Sequence, residues 1–370
     1  MKGLYINLQR FLGPNTGVQK KIMQQIEGFR KAGIQMELVD SVSAGFSESS
    51  RNPFRTFQRR KAIFQKASDM DAQQRVDFFY TRYSCGDPSF LAFAKQNGSR
   101  IITEHQTNEE NELKATGEKI RLWMEKVYGP RVLREVAAIV GVTDEIIQYE
   151  MSRIAPRSIP SFCLGNGIDP NQIPVRTPPP FDGTRLNMLC VAHVNTWHAL
   201  DRVIKGMAEY AGSTRILLNV VGDGAILPEL KSLVREKGLG QNVKFHGVKN
   251  GKDLDAFFEA NHVAVGSLGV HRIHMQKAAI LKNREYCSRG IPFFYAFEDV
   301  DFPENFPFHL RFPGNDAPVH MQPIVDFVKG VHGDLDHPKK MHAFSQLQLS
   351  WERKTAELSK WIRKVLSRSS

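Results

Sequence analysis

The stretch Ser267–Tyr295, SLGVHRIHMQKAAILKNREYCSRGIPFFY, decides how the chain is to be read. An apolar run, His262–Val265, enters it through a loop, Gly266–Gly269. A polar, basic segment with helical spacing follows, and Gly290-Ile291-Pro292 stops it before a second apolar run. Glycine just past a helical pattern with proline beyond is a C-terminal signal. The pattern therefore predicts strand, loop, helix and strand, with Lys277, Lys282, Arg284 and Glu285 concentrated around one helix. Open parallel sheets bind ligands where a loop and a helix start leave the carboxyl end of a strand. These charges mark a candidate ligand site.

Working outward, apolar runs of strand length alternate with helical patterns almost throughout. The first half offers strands at Gly3–Leu8, Gln35–Val39, Asp77–Tyr80, Arg100–Thr103, Ala137–Val140 and Ser161–Leu164, with a helix from about Gly17 that places Val18, Ile22, Ile26 and Phe29 on one face. Thr143 followed by Asp144 and Glu145 suits a helix start, where a side-chain oxygen and negative charge are favourable. The run Ile173–Pro180, IPVRTPPP, cannot build a core element and reads as an interdomain linker. Alternation then restarts with Leu186–Val191, Ile216–Val221, Val243–His246 and His262–Val265. The expectation is an α/β chain of two Rossmann-like domains facing a cleft: residues 1–175, residues 176–345, and a terminal helix over 346–370 crossing back onto the first domain.

At 370 residues the chain is long for one core, which agrees with two domains. Its 41% hydrophobic and 24% charged residues are those of a globular protein. No run approaches the ~18 consecutive apolar residues of a membrane span. The start, MKGLYINL, reads as a first strand and lacks the small-residue cleavage site of a signal peptide. Cys85, Cys163, Cys190 and Cys287 are scattered without CxxC spacing, which suits reduced thiols in a cytoplasm and argues against a structural zinc site. The formal charge of +11 suits an anionic substrate, an anionic membrane surface or nucleic acid.

Several loops carry signals that are weak singly. Gly13–Gln19, GPNTGVQ, lies between the first strand and helix, where glycine admits close approach and helix N–H groups can receive an anion. A plain βα turn is the alternative, and neither GxGxxG nor a Walker motif is present. Val221-Gly222-Asp223-Gly224 closes a strand and opens a helix, and Gly247 follows another strand end; either can be an ordinary turn. In order the chain presents TGVQ, NGID at Asn166–Asp169, VGDG, FHG and LKNREY…GIP. In that order it resembles the GT-B glycosyltransferases, in particular the large retaining family usually numbered four. The resemblance runs over nearly the whole length and is strongest from Asn166 to Pro292.

The resemblance implies a residue set. Glu285 matches the last glutamate of the family's E-x7-E motif, which holds the donor ribose hydroxyls; a carboxylate accepting two hydroxyl hydrogen bonds suits that role. Lys277 stands where the motif's first glutamate is expected. Lys282 would bring positive charge to the donor phosphates, the alternative being a solvated i,i+3 pair with Glu285. His193 and His198 match the family's pyrophosphate-binding arginine and lysine; histidine can donate to phosphate and, protonated, offset its charge. Arg202, one turn beyond His198, could restore a permanent cation. Gly17, Asn166, Gly222, Asp223 and Gly247 complete the donor-side candidates. His105, in Thr103–Thr107 after a strand, is implied to contact the transferred sugar or acceptor, so the catalytic candidates are His105 and Lys282. No residue is singled out as a nucleophile, and no metal-ligand pattern or DxD motif is present.

The expected activity is that of a hexosyltransferase of polysaccharide biosynthesis. It would move a sugar from a nucleoside-diphosphate donor to a glycan, lipid-linked or cell-envelope acceptor, with retention, without a metal, and with no cofactor beyond its nucleotide-sugar substrate. The expected location is cytoplasmic, with possible peripheral contact to an anionic inner membrane face. Arg51–Phe64 mixes cations with aromatics, as a membrane-surface segment does, although a solvated helix with buried aromatics reads as well. The alternatives are a GT-B-type nucleotide-sugar epimerase and a non-catalytic basic binder of membrane or nucleic acid. No nucleic-acid motif supports the last, and no nucleic-acid partner is expected.

Overall fold

The computed structural model describes residues 1–9, 17–46 and 53–367; positions 13–16 of the first glycine loop and 51–52 of the basic-aromatic segment lie outside them. The chain divides into two compact units, Met1–Gly167 with Trp351–Ser370, and Ile168–Ser350.

The first unit is built on six parallel strands: β1 (Lys2–Asn7), β2 (Gln35–Val39), β3 (Phe78–Arg82), β4 (Ile101–His105), β5 (Ala138–Gly141) and β6 (Ser161–Cys163). Their spatial order is β2-β1-β3-β4-β5-β6. Because helices cover both faces, β3 and β4 are buried along their whole length and show no polar alternation. Successive side chains still part to opposite faces. Leu4, Ile6 and Phe79 enter one core, and Tyr5, Phe78 and Tyr80 the other. That second core is closed by Trp351, Leu358, Ile362 and Val365 of the terminal helix Trp351–Leu366, packed on Ile22, Ile26 and Phe29 of the helix Gly17–Lys31. Gly28 permits the close approach, since a Cβ there would stand 2.4 Å from Thr355 Oγ1. The apolar face of the terminal helix is thus used in packing. Thr143 caps the helix Asp144–Ser152 as its position predicts, its Oγ1 accepting from Ile146 N–H.

The second unit carries β7 (Arg185–Val191), β8 (Arg215–Val221), β9 (Val243–Phe245), β10 (Val263–Val265), β12 (Phe293–Tyr295) and β14 (His309–Arg311), all parallel, in the order β14-β12-β10-β7-β8-β9. A two-stranded accessory sheet pairs β11 (Lys277–Ala278) with β13 (Glu298–Asp299). The proline-rich stretch expected as an interdomain linker is fastened to this unit. Arg176 is 5% exposed, and its guanidinium donates to the carbonyl oxygens of Phe258, Asn261 and Gly290. Proline removes backbone donors, so a single buried arginine supplies the anchoring the backbone does not. Among the described residues no helix is long and apolar enough to cross a membrane.

Candidate functional site

In the second unit the chain leaves β7 for β8 and β9 on one side and later returns to lay β10 on the other. The carboxyl ends of β7 and β10 therefore form a topological switch point, where the loops diverge and a ligand can enter. His193–His198 follow β7, Gly222–Gly224 follow β8, Gly266–Gly269 follow β10, and the helix Leu281–Arg289 starts on the same edge.

Four devices hold these pieces together. Tyr286, fully buried, accepts from Val191 N–H and donates to Val265 O, wedging the helix against the ends of β7 and β10. Arg202, 1% exposed, donates to the carbonyl oxygens of Leu268, Pro313 and Ala317 and to Asn315 Oδ1. It was expected to offer a free cation to a pyrophosphate; instead its guanidinium is committed to loop carbonyls, and it ties down the Gly266–Gly269 loop. Gly222 and Gly224 have φ of +128° and +154°, and a Cβ on either would stand about 2 Å from the carbonyl oxygens of Ala192 and Val194 (1.9 and 2.1 Å). These glycines let the loops after β7 and β8 stack directly, with Val194 N–H donating to Asp223 O. Last, Arg284 is sealed from solvent against Asp299 and Asp301, and Asn283 Nδ2 also donates to Asp299.

Against this frame Lys282 stands out. Its stem is partly exposed, but Nζ is shut from solvent and has no hydrogen-bond partner among the described residues. Burial pulls its pKa down to about 8. The solvated pair with Glu285 does not form. Beside it, the same charge and burial hold His198 well below the usual histidine range. His198 Nδ1 accepts from Asn195 N–H at 2.9 Å, so the ring is the neutral tautomer with its proton on Nε2. In this state the ring can donate through Nε2–H but brings no charge of its own. Ser267 Oγ and Asn283 Oδ1 are also buried without partners, and Leu268 N–H donating to His198 O ties Ser267's loop to the histidine. Unpartnered buried polar atoms are rare and costly. Here a buried amine, a hydroxyl and an amide oxygen belong to the elements that meet at one sheet edge.

The other donor-side candidates take varied places. Glu285 is one turn along the same helix; its Oε1 accepts from Arg289 Nε at 2.9 Å and its side chain is 30% exposed. Lys277 is not on that helix. It lies on β11 and pairs with Glu298 at 3.1 Å, because the residues between Ile273 and Leu281 form a short strand before the helix begins. His193 Nδ1 meets Asp223 Oδ1 at 2.7 Å on the open surface. Gly247, at φ +65° with open space around its Cβ direction, is a turn residue whose carbonyl accepts from Gly222 N–H.

Three candidates belong to the first unit. Gly17 opens the first helix, and Asn166 is buried just after β6. His105 is 2% exposed, with Nε2 2.9 Å from Thr103 Oγ1, Nδ1 3.1 Å from Glu150 Oε1, and its ring stacked on Tyr83. Its ring nitrogens thus lie against Thr103 and Glu150 of the same unit, at the end of β4. Sequence reasoning missed Ser267, Tyr286 and Asp299. Tyr286 sits inside the quoted stretch between charged residues, where its depth has no local signal.

No protein-family model matches this sequence, and no curated protein matches it. Solved structures do. Sucrose-phosphate synthase from Thermosynechococcus elongatus superposes with a TM-score of 0.70 at 14% identity over 100% of both chains. A glycosyltransferase from Rickettsia africae gives 0.64 at 12% identity, covering 99% of this chain and 98% of that one. HepE of Anabaena, in complex with UDP and glucose, gives 0.64 at 12% identity, covering 98% and 100%. The fold is therefore the GT-B fold of these glycosyltransferases, with two Rossmann-like domains.

Proposed function

We propose that this chain is a glycosyltransferase that takes its donor, a nucleoside-diphosphate sugar, at the β7–β10 switch point of the second unit. The single observation that carries this is Lys282 Nζ, buried at that edge without a partner. An amine in that state is costly until an anion arrives, and a diphosphate supplies one. Neutral His198 donates through Nε2–H, and Glu285 supplies a carboxylate oxygen for ribose hydroxyls one turn along. As the bond between the anomeric carbon and the β-phosphate oxygen breaks, negative charge grows on the departing diphosphate, and Lys282 offsets it in a water-poor setting. The acceptor hydroxyl oxygen forms the new bond to the anomeric carbon and passes its proton to the freed oxygen of the departing diphosphate.

The likeness of motif order to family four supports a retaining, metal-independent hexosyl transfer to a glycan or lipid-linked acceptor. A peripheral membrane position is supported by Phe54, Ile120 and Trp123, which are 68%, 59% and 60% exposed on the first unit's basic helices. The test is thermal shift with UDP, GDP, ADP and their sugars on the wild type, Lys282→Met and Glu285→Ala. One diphosphate should stabilise the wild type, by about 2.7 kcal/mol at a hundredfold excess over Kd, and the variants far less. Equal stabilisation of all three proteins, or none of the wild type, sinks the site. Release of free epimerised sugar without transfer would favour an epimerase.

A further inference from the structure

The first unit has a switch point of its own. Its order β2-β1-β3-β4-β5-β6 places β1 between strands reached in opposite directions, so the carboxyl ends of β1 and β3 form the mouth. The residues paired there are Asn7, at the end of β1, and Arg82, at the end of β3. Arg82 is 6% exposed, and among the described residues neither its Nε nor its Nη1 has a hydrogen-bond partner. Its nearest carboxylate, Glu104, is 4.0 Å from Nη1 and already serves Lys21 Nζ at 3.2 Å and Gln25 Nε2 at 2.9 Å. Two buried cations therefore share one buried carboxylate. Glu112 also faces Arg82, but burial raises its pKa toward the neutral form. Lys21, in the second turn of the helix that follows β1, is itself lowered to about 7 by burial first and, among its neighbours' charges, by Arg82. A guanidinium in this state has been taken out of water without the carboxylate fork that normally receives it.

We infer that Arg82 is the base of an oxyanion site at the β1–β3 edge, which receives a phosphate or carboxylate group carried by the acceptor. Calling that ligand the acceptor rests on the transferase reading; the oxyanion site itself does not. The helix Gly17–Lys31 starts on the same edge, and its N-terminal amides favour the same charge. A neutral sugar's hydroxyls could accept from Arg82 but would leave its charge unmatched, so the acceptor class is an anionic sugar, either phosphorylated or uronic.

The full chain is titrated calorimetrically with glucose 6-phosphate, glucuronate and glucose, as wild type, Arg82→Gln and Arg82→Lys. One anionic sugar should bind at least tenfold more tightly than glucose, and which of the two binds identifies the group. Arg82→Gln should lose that preference, and Arg82→Lys should weaken it several-fold, because a lysine keeps the charge without the planar fork. If Arg82→Gln does not fold, Arg82→Lys decides: unchanged affinity overturns the site. So does failure of both anions to bind the wild type at millimolar concentration, or undiminished binding by Arg82→Gln. Nucleoside-diphosphate stabilisation is measured on the same samples. If it fails while the anion still binds, the transferase reading falls and the oxyanion site stands; the reverse outcome removes only the oxyanion site.

Discussion

Arg284 holds Asp299 through two parallel bonds, Nη1 to Oδ2 at 2.5 Å and Nη2 to Oδ1 at 2.7 Å, with both side chains fully excluded from solvent. This pair joins the helix that carries Lys282 and Glu285 to the accessory strand β13. Burial raises Asp299 even though Arg284 pulls it down, whereas burial's pull on Arg284 is outweighed by Asp299 and Asp301, which raise it, so these charges hold as a set and a member left alone would be buried unpaired. Removing one partner should therefore cost more than removing both. Arg284→Met is expected to lose about 3–5 kcal/mol in urea unfolding, and Arg284→Met with Asp299→Leu to recover much of it. A double variant no more stable than the single one would contradict this.

Lys282 should destabilise the protein that its charge equips for binding. Its folded pKa, about 8, lies below the unfolded value of 10.5. The unfolded chain binds more protons between these values, so the penalty is fully present below pH 8 and fades as pH rises toward 10.5. Lys282→Met should be more stable than the wild type at pH 7, by roughly 1–3 kcal/mol, with the gap closing by pH 10. Chemical denaturation across that range reads it directly.

His198 should show a dependence of the same sign on its own, more acidic scale. Its folded pKa lies well below 6.5, lowered by burial and then by Lys282. The unfolded chain takes up a proton as pH falls through 6.5 while the folded ring does not, so stability is lost on the acid side. His198→Gln should hold its stability better than the wild type between pH 6.5 and 5. Diphosphate binding by the wild type should show no inflection from this residue near neutrality.

Tyr286 spans β7 and β10 with one hydroxyl. Tyr286→Phe keeps the ring and strands Val191 N–H and Val265 O, at a cost of about 1–3 kcal/mol. Faster hydrogen exchange at the Val191 amide, together with weaker diphosphate binding, is the expected result. Unchanged exchange would show that the hydroxyl does not fasten the edge.

Much of the architecture can be read along the chain. The runs around Leu4, Phe79, Met188 and Ala264 are strand-length and bracketed by helical patterns, and all of them became parallel strands. Gly290 stops the helix where its position predicts, at φ +77°. The site was less legible. Lys277 and Lys282 look equivalent in sequence, yet one pairs with Glu298 near the surface and the other has its amine buried alone. Arg202 and His105 resemble ligand-binding residues in spacing, and both are committed to protein partners.

The alternation of strand and helix, the glycine positions that let loops approach and the excess of cations are all readable along the chain. Those properties are local: they depend on side-chain period and on the φ a residue tolerates. Which cations are neutralised and which are left waiting follows from the fold. Arg284 meets Asp299 fifteen residues away, Arg202 meets Pro313 across 111, and Glu104 lies closer to Lys21, across 83, than to Arg82. Desolvation and charge pairing are set by neighbours in space. The quoted stretch therefore names the charges, and the folded sheet edge selects Lys282 from among them.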